Sequence, residues 1–459
     1  RKAILDSQLG KDVDAGMDED LRQPPFSITL NGSELDRADK FYDLVLAEMK
    51  NLAANGIDKT LLEASVSLFE FRLREADFGL MPKGLILGLR GLKTWLYGGD
   101  PTDALKSEEV YASLREKLTT SYFEDVLKEA VLESNHSATV LLKPSNTLGA
   151  EKIQKEKEKL ARIKASWSKE QIDEVIAMNK QLTEWQRSTD TPEEKATLPV
   201  LHLSDLKKTP TRLPIEICRH NDETLVMKHD LDTNGISYVT LYAEADDLNT
   251  YDISIASLMK ALLTSLRTEK YGVLELVKKM KGTLGDFSVS FGSYSSTVRD
   301  NTDVKMEVSF SSLHRNDMEA VELVKEIIYH TQFDDTNAIR NIVKQIRMGM
   351  EQAVLGRGDG FGVTRLMAYD TEAGVVTEHI SGYEYYRFIK NLDEKWDEVS
   401  ETVISRMKEL YGRLFTLDRL AIGVTSLDKE ALVKAILQDV PTGEAHQKVR
   451  KEPLGHKRE

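Results

Sequence analysis

Residues 167–216 read WSKEQIDEVIAMNKQLTEWQRSTDTPEEKATLPVLHLSDLKKTPTRLPIE. The stretch opens as a charge-rich helix and ends as a return segment punctuated by Pro192, Pro199, Pro210 and Pro214. Proline fixes φ and carries no N–H, so a run broken this often continues neither a helix nor a central strand. The preceding EKIQKEKEKLARIKASW (151–167) also has helical spacing, and Ser168 followed by Gln171 is the pattern of a reciprocal helix cap. We therefore expect a helical hairpin over 149–210, an arm between two globular regions. Helices this charged ordinarily form a solvated face. Trp167 and Trp185 flank the second helix and are expected to anchor it on one globular half.

Charge partitions the same way. The arm holds 12 basic and 11 acidic residues, residues 1–148 hold 18 and 25, and residues 211–459 hold 32 and 40, so the net charge of -14 resides in the two halves. Nonspecific binding to nucleic acid or anionic lipid needs basic clusters, and this balance opposes both. At 459 residues and 41% apolar composition the chain is long enough for two to three domains. One cysteine, Cys218, excludes an intrachain disulfide framework and fits a reducing compartment. No run of eighteen apolar residues offers a membrane span, since Pro82, Lys83, Arg90 and Lys93 break the longest candidate.

Before the arm, RKAILDSQLGKDV reads as the end of a helix whose beginning is missing, followed by a strand from Phe26 to Leu30. Helices are expected over Glu34 to Ala54, Lys59 to Glu75 and Ser107 to Leu132, with a glycine-containing helical stretch between the last two and a strand in ATVLLKP (138–144). Beyond the arm, LPIEICRH, TLVMKHDL and ISYVTLYAEA read as strands, the last two forming a hairpin across Thr233-Asn234-Gly235. Helices near 253–267 and 271–281, strands FSVSFGSYS and VKMEVSFSSL, a long helical region, the strand LAIGVTS and a helix over Lys429 to Gln438 complete the order. Residues 57–143 and 333–426 share one sequence of elements, a weak internal repeat.

The motifs that invite chemistry all have plainer readings. Asp230, Asp232, Asn234 and Gly235 begin like a calcium loop, but Leu241 stands where the closing Glu belongs and a β run follows. Cys218 and His220 have no second ligand pair. GRGDGFG (356–362) follows a helix and lacks the Lys of a nucleotide loop, so an irregular loop is expected. His314, His330 and His379 have no convincing nucleophile beside them in sequence.

The arm (167–186) through LPVLHLSDL resembles the segment joining the halves of the presequence-protease branch of the pitrilysin-type zinc metallopeptidases. EFRLREADFGLMPKGL, WLYGGDP and the run Asp232 to Tyr238 are similar to further blocks of that family. The resemblance implies an α/β fold, two layered α/β units joined by a long helical-hairpin linker. It divides the chain into the C-terminal part of a second domain (1–148), the linker (149–210), a third domain (211–440) and the start of a linker to a fourth (441–459). Members cut unfolded peptides inside a chamber closed by two bowls, using zinc held by His-x-x-Glu-His in the first domain and the Arg and Tyr of an Arg-x-x-Gly-Gly-Ala-Tyr-like motif in the fourth. Neither motif occurs in this chain. No catalytic, cofactor-binding or metal-binding residue is therefore carried over, and the chain alone is expected to be inactive, forming chamber wall and hinge. Its expected partners are unfolded peptides and the missing N-terminal and C-terminal domains, with no nucleic acid or membrane. A bacterial cytoplasm is preferred over a mitochondrial or plastid matrix. The alternative is an inactive pitrilysin-like scaffold that binds partners.

Overall fold

The computed structural model describes residues 2–19, 21–206, 208–209, 212–220, 224–295 and 302–443. Most of the expected linker start at 441–459 lies outside them, as does Pro210. Packing divides the chain into two compact units, one drawn from residues 1–19, 24–49 and 132–212 and the other from 20–23, 50–131 and 213–459.

In the first unit, β1 (Asp12–Met17) pairs antiparallel with β2 (Phe26–Asn31). The expected helix at the start shrinks to Lys2–Asp6, because the alternating DVDAGM that follows takes up β2 as its partner. The arm forms as two helices, Leu148–Ser166 and Lys169–Arg187, with no buried residue on either. Between them the Ser168 hydroxyl accepts from Gln171 N at 3.3 Å, and the Gln171 amide oxygen accepts from Ser168 N at 2.9 Å. Trp185 is 72% exposed, so it does not anchor the arm as expected. The strand expected at 138–144 does not form, and Val140 and Leu142 are exposed. β propensity counts only beside a strand that completes the ladder, and here none is paired. The proposed repeat therefore fails at its last element.

The second unit carries a six-stranded mixed sheet in the order β3 (Glu216–His220), β4 (Thr224–His229), β8 (Leu420–Thr425), β5 (Ile236–Glu244), β7 (Thr302–Leu313), β6 (Asp286–Ser295). β4 and β8 are parallel and every other neighbouring pair is antiparallel. The expected β4–β5 hairpin is overturned. The turn itself forms, with Asn234 and Gly235 at φ 55° and 76°, but β8 inserts between the two strands. Turn chemistry reverses the chain locally, whereas pairing goes to whichever strand best fills the gap, and β8 buries Leu420, Ile422 and Val424 there. GRGDGFG is likewise not an irregular loop: after a break at Arg357 it opens the helix Gly358–Asp370, directly following the helix Thr336–Gly356. The helical region expected over Ser107 to Leu132 is interrupted into Glu108–Lys117, Tyr122–Leu127 and a wide turn at Lys128–Leu132.

One sheet face is the core. Val239, Leu241, Met306, Val308 and Ile422 pack in one apolar cluster with Leu258, Met259 and Leu262 of the helix Thr250–Leu262, Ile327 of Asp317–His330 and Leu432 of Lys429–Leu437. A second, smaller cluster joins Phe71, from the helix Lys59–Glu75, to Ile236 and Leu313. That helix begins with Asp58 Oδ1 accepting from Leu61 N at 3.3 Å and ends at Ala76, whose φ of 48° stops it. It lies beside the helix Val273–Thr283, where a Cβ on Gly282 would be 3.3 Å from the Ala64 Cβ.

Candidate functional site

Successive strand residues point to opposite faces. The register that buries Val239, Leu241 and Ala243 therefore turns Tyr238, Thr240, Tyr242 and Glu244 to the other face. Beside them stand Ser311, Ser309, Glu307 and Lys305 of β7, and Asp286, Ser288, Ser290 and Gly292 of β6. On the β8 side the row continues as Thr425, Gly423 and Ala421. Small and hydroxylated residues dominate the middle of this face, so the tyrosines and carboxylates rise above a shallow polar floor. Ser288 and Ser290 are exposed and the central residues are half-buried. A sheet of this kind needs only one apolar face for its core; the helix Lys59–Glu75 packs on the Ile236 and Leu313 end of the other, and the remainder is free to meet solvent or a ligand.

Negative charge is concentrated there. Glu307 accepts from the Tyr294 hydroxyl and from Ser290 Oγ at 3.3 Å. Burial, followed by the charge of Glu307, raises the Tyr242 phenol, and burial with the Glu307 hydrogen bond and charge raises Tyr294 further. Burial and Glu75 push Tyr238 up to about 12. Glu75 is itself raised, by burial and by Asp77, with Asp286 adding to it despite the hydrogen bond from Tyr238. At the other end burial raises Asp246, helped by Asp303 and Glu244 and opposed by the Val304 N–H and Lys305. Burial leads in both Glu75 and Asp246, and neighbouring carboxylates add to it. Among the described residues of the central rows, Lys305 supplies positive charge to this face, 3.9 Å from Glu244.

The residues singled out from sequence go elsewhere. His314 Nδ1 lies 2.9 Å from Asp317, a buried carboxylate that also accepts from Ser237 Oγ at 2.8 Å and Ser312 Oγ at 2.7 Å. The serines bond the carboxylate and not the imidazole, so the nucleophile–base–carboxylate order of a hydrolase is not met. Instead the group ties β5 and β7 to the start of the helix Asp317–His330. His379 Nδ1 is 3.2 Å from Ser254 Oγ, whose hydroxyl also faces the Thr250 and His379 carbonyls, and His330 pairs with Glu269 at 3.2 Å. Asp230 pairs with Lys429 at 3.1 Å, and Asp232 accepts from Asn234 N at 3.0 Å, which makes them turn residues. Cys218 and His220 share one side of edge strand β3. Among the described residues no three His, Cys, Asp or Glu side chains converge as metal ligands. The open sheet face was missed as a site, although the polar phase of ISYVTLYAE and VKMEVSFSS is its signal.

Residues 142–392 match the family of proteins associated with peptidase M16, subfamily C. The chain belongs to this peptidase-associated family. The match takes in the arm and most of the sheet, the same relationship that the arm resembles in sequence. Among relatives, protein HypA of Clostridium perfringens is 32% identical over 94% of this chain and 44% of its own length. Presequence protease 1, chloroplastic/mitochondrial, of Arabidopsis thaliana is 28% identical over 93% of this chain and 40% of its own length. A peptidase M16 inactive domain from Pseudomonas fluorescens shares 14% identity at a TM-score of 0.37, covering 51% of this chain and 53% of that one, a likeness too loose to bear on the site. The chain thus spans less than half the length of the curated relatives it matches. Among its described residues no helix is long and apolar enough to cross a membrane.

Proposed function

We propose that this chain is the non-catalytic central part of a zinc-dependent, presequence-protease-like peptidase, and that its open sheet face is a wall against which unfolded peptides lie. The observation that carries the reading is the polar, acid-lined face built from Tyr238, Tyr242, Glu244, Tyr294 and Glu307. Its carboxylates attract Lys and Arg side chains, its phenol rings accept cations on their faces, and its serines offer hydrogen bonds that suit many backbones. The family match and the presequence-protease relatives support the peptidase assignment. The side chains of the described residues do not fit zinc, since three or four convergent ligands are required. Zinc and the bond-breaking step are accordingly assigned to residues outside this chain. Partner domains of the same protein, rather than nucleic acid or lipid, complete the chamber, with the arm as its hinge. The bacterial relative and the single cysteine support a bacterial cytoplasmic setting.

The test is binding of labelled unfolded peptides to the chain by fluorescence anisotropy. A basic peptide should bind more tightly than its charge-reversed counterpart at low salt, lose that advantage at high salt, and lose it also in Glu307→Lys. Equal affinities at low salt would remove the acidic-wall reading. Detection of His-x-x-Glu-His in the sequence preceding this chain supports the active enzyme, and its absence favours the inactive scaffold.

A further inference from the structure

Glu70 sits on the helix Lys59–Glu75 at 1% exposure, and a carboxylate so buried requires positive partners. It has three. Arg74 Nε donates to its Oε1 at 3.0 Å, Arg115 Nη1 to Oε2 at 2.5 Å, and Arg315 through Nη1 to Oε1 at 3.2 Å and Nη2 to Oε2 at 2.8 Å. Arg74 is satisfied further by the Asn234 carbonyl at 3.3 Å and by Glu108 at 3.6 Å. Arg115 and Arg315 therefore share a single carboxylate. Burial would raise Glu70, yet Arg315, Arg74 and Arg115 together bring it below its ordinary value, which marks the surroundings as cationic.

Arg115 uses one Nη on Glu70, and neither its Nε nor its second Nη meets an acceptor among the described residues, nor does Arg315 Nε. Both guanidiniums converge on the same Oε2, so they stand close together, and their side chains are 37% and 40% exposed while that of Glu70 is 2% exposed. A purely structural tie to one carboxylate needs one fork. Two guanidiniums meeting at one oxygen, with unspent N–H groups on part-exposed side chains, suit a second oxyanion. We propose that Arg115 and Arg315 form a binding site for an oxyanion, a carboxylate or a phosphate group, with Glu70 holding the two guanidiniums in place. This site is independent of the acidic sheet face and does not rest on the peptide-wall reading.

The experiment titrates the full chain with inorganic phosphate against chloride at constant ionic strength, by calorimetry and by NMR of the arginine Nε–H resonances. Saturable phosphate binding is expected, with the Arg115 and Arg315 resonances shifting together. Arg115→Lys and Arg315→Lys keep a charge and a donor for Glu70 but lose the fork. Each should weaken phosphate at least about tenfold while melting as the wild type does without phosphate. A short peptide acid that competes with phosphate where its C-terminal amide does not would make a peptide terminus the source, and phosphate binding without such competition a free anion. Phosphate bound no better than chloride, resonances of other arginines shifting instead, or well-folded lysine variants that bind as the wild type would each overturn the site. The resonance shifts are read on the wild type, so the test survives a variant that fails to fold.

Discussion

Substituting Gly285→Ala should destabilise the second unit through one residue, Phe71, which lies more than 200 positions earlier in the chain. A Cβ on Gly285 would stand 2.0 Å from Phe71 Cε2 and 2.2 Å from both Cδ2 and Cζ. Carbon atoms in ordinary contact stay roughly 3.5–4.0 Å apart, so the ring would have to withdraw by about 1.5 Å. Phe71 is 3% exposed and packed with Ile236 and Leu313, and the Gly285 N–H is pinned to the Ser311 carbonyl at 2.8 Å, so neither side yields freely. Overpacking of this kind costs about 1–3 kcal/mol. Phe71→Ala alone should cost about 3–5 kcal/mol through the lost ring and the cavity it leaves. In the double variant the new methyl enters that cavity, so the combined loss should fall short of the sum by at least about 1 kcal/mol. Urea unfolding of the two single variants and the double variant, followed by circular dichroism, measures this coupling. Losses that add to within about 0.5 kcal/mol would refute the contact as the cause.

Limited proteolysis should cut first between Ser188 and Lys195, an exposed stretch between the arm helix and the prolines; first cleavage inside Ile236–Glu244 or Thr250–Leu262 would contradict this. Asp317→Asn puts an amide where a buried carboxylate accepts from Ser237 and Ser312 and pairs with His314, and should cost about 1–3 kcal/mol by the same unfolding assay, with wild-type stability as the disproof. The Tyr238 phenol, raised from 10.0 to about 12, is protonated in the folded state where the unfolded chain would ionise it. Its contribution is therefore complete below pH 10 and is lost as pH rises through about 12, and tyrosinate absorbance should show Tyr238→Phe removing a late-titrating group.

Much of this protein was legible one element at a time. Ser168 and Gln171 announced their cap because capping is settled within four residues, and Lys59 to Glu75 was bounded correctly because its stop is local too. The run ISYVTLYAE identified β5, and its alternation holds a polar phase that went unused, since side-chain period follows from the pleat alone. The family relationship was legible in the arm for a different reason, as a pattern long enough to be distinctive. What no local pattern contains is the choice of neighbours. ATVLLKP has the residues of a strand and lacks a partner, while β8 arrives from more than 170 residues downstream of β5 to separate β4 from it. Glu70 looks like an ordinary surface carboxylate on an amphipathic helix until Arg115 and Arg315 close on it, and the tyrosines and carboxylates of β5, β6 and β7 become one surface only when register aligns them. The sequence by itself determined the elements, because backbone propensity, capping and periodicity act over a few residues. The sites were decided by tertiary structure alone, because electrostatics and packing depend on distance in space, and that distance is fixed only when remote segments compete to bury the same apolar faces.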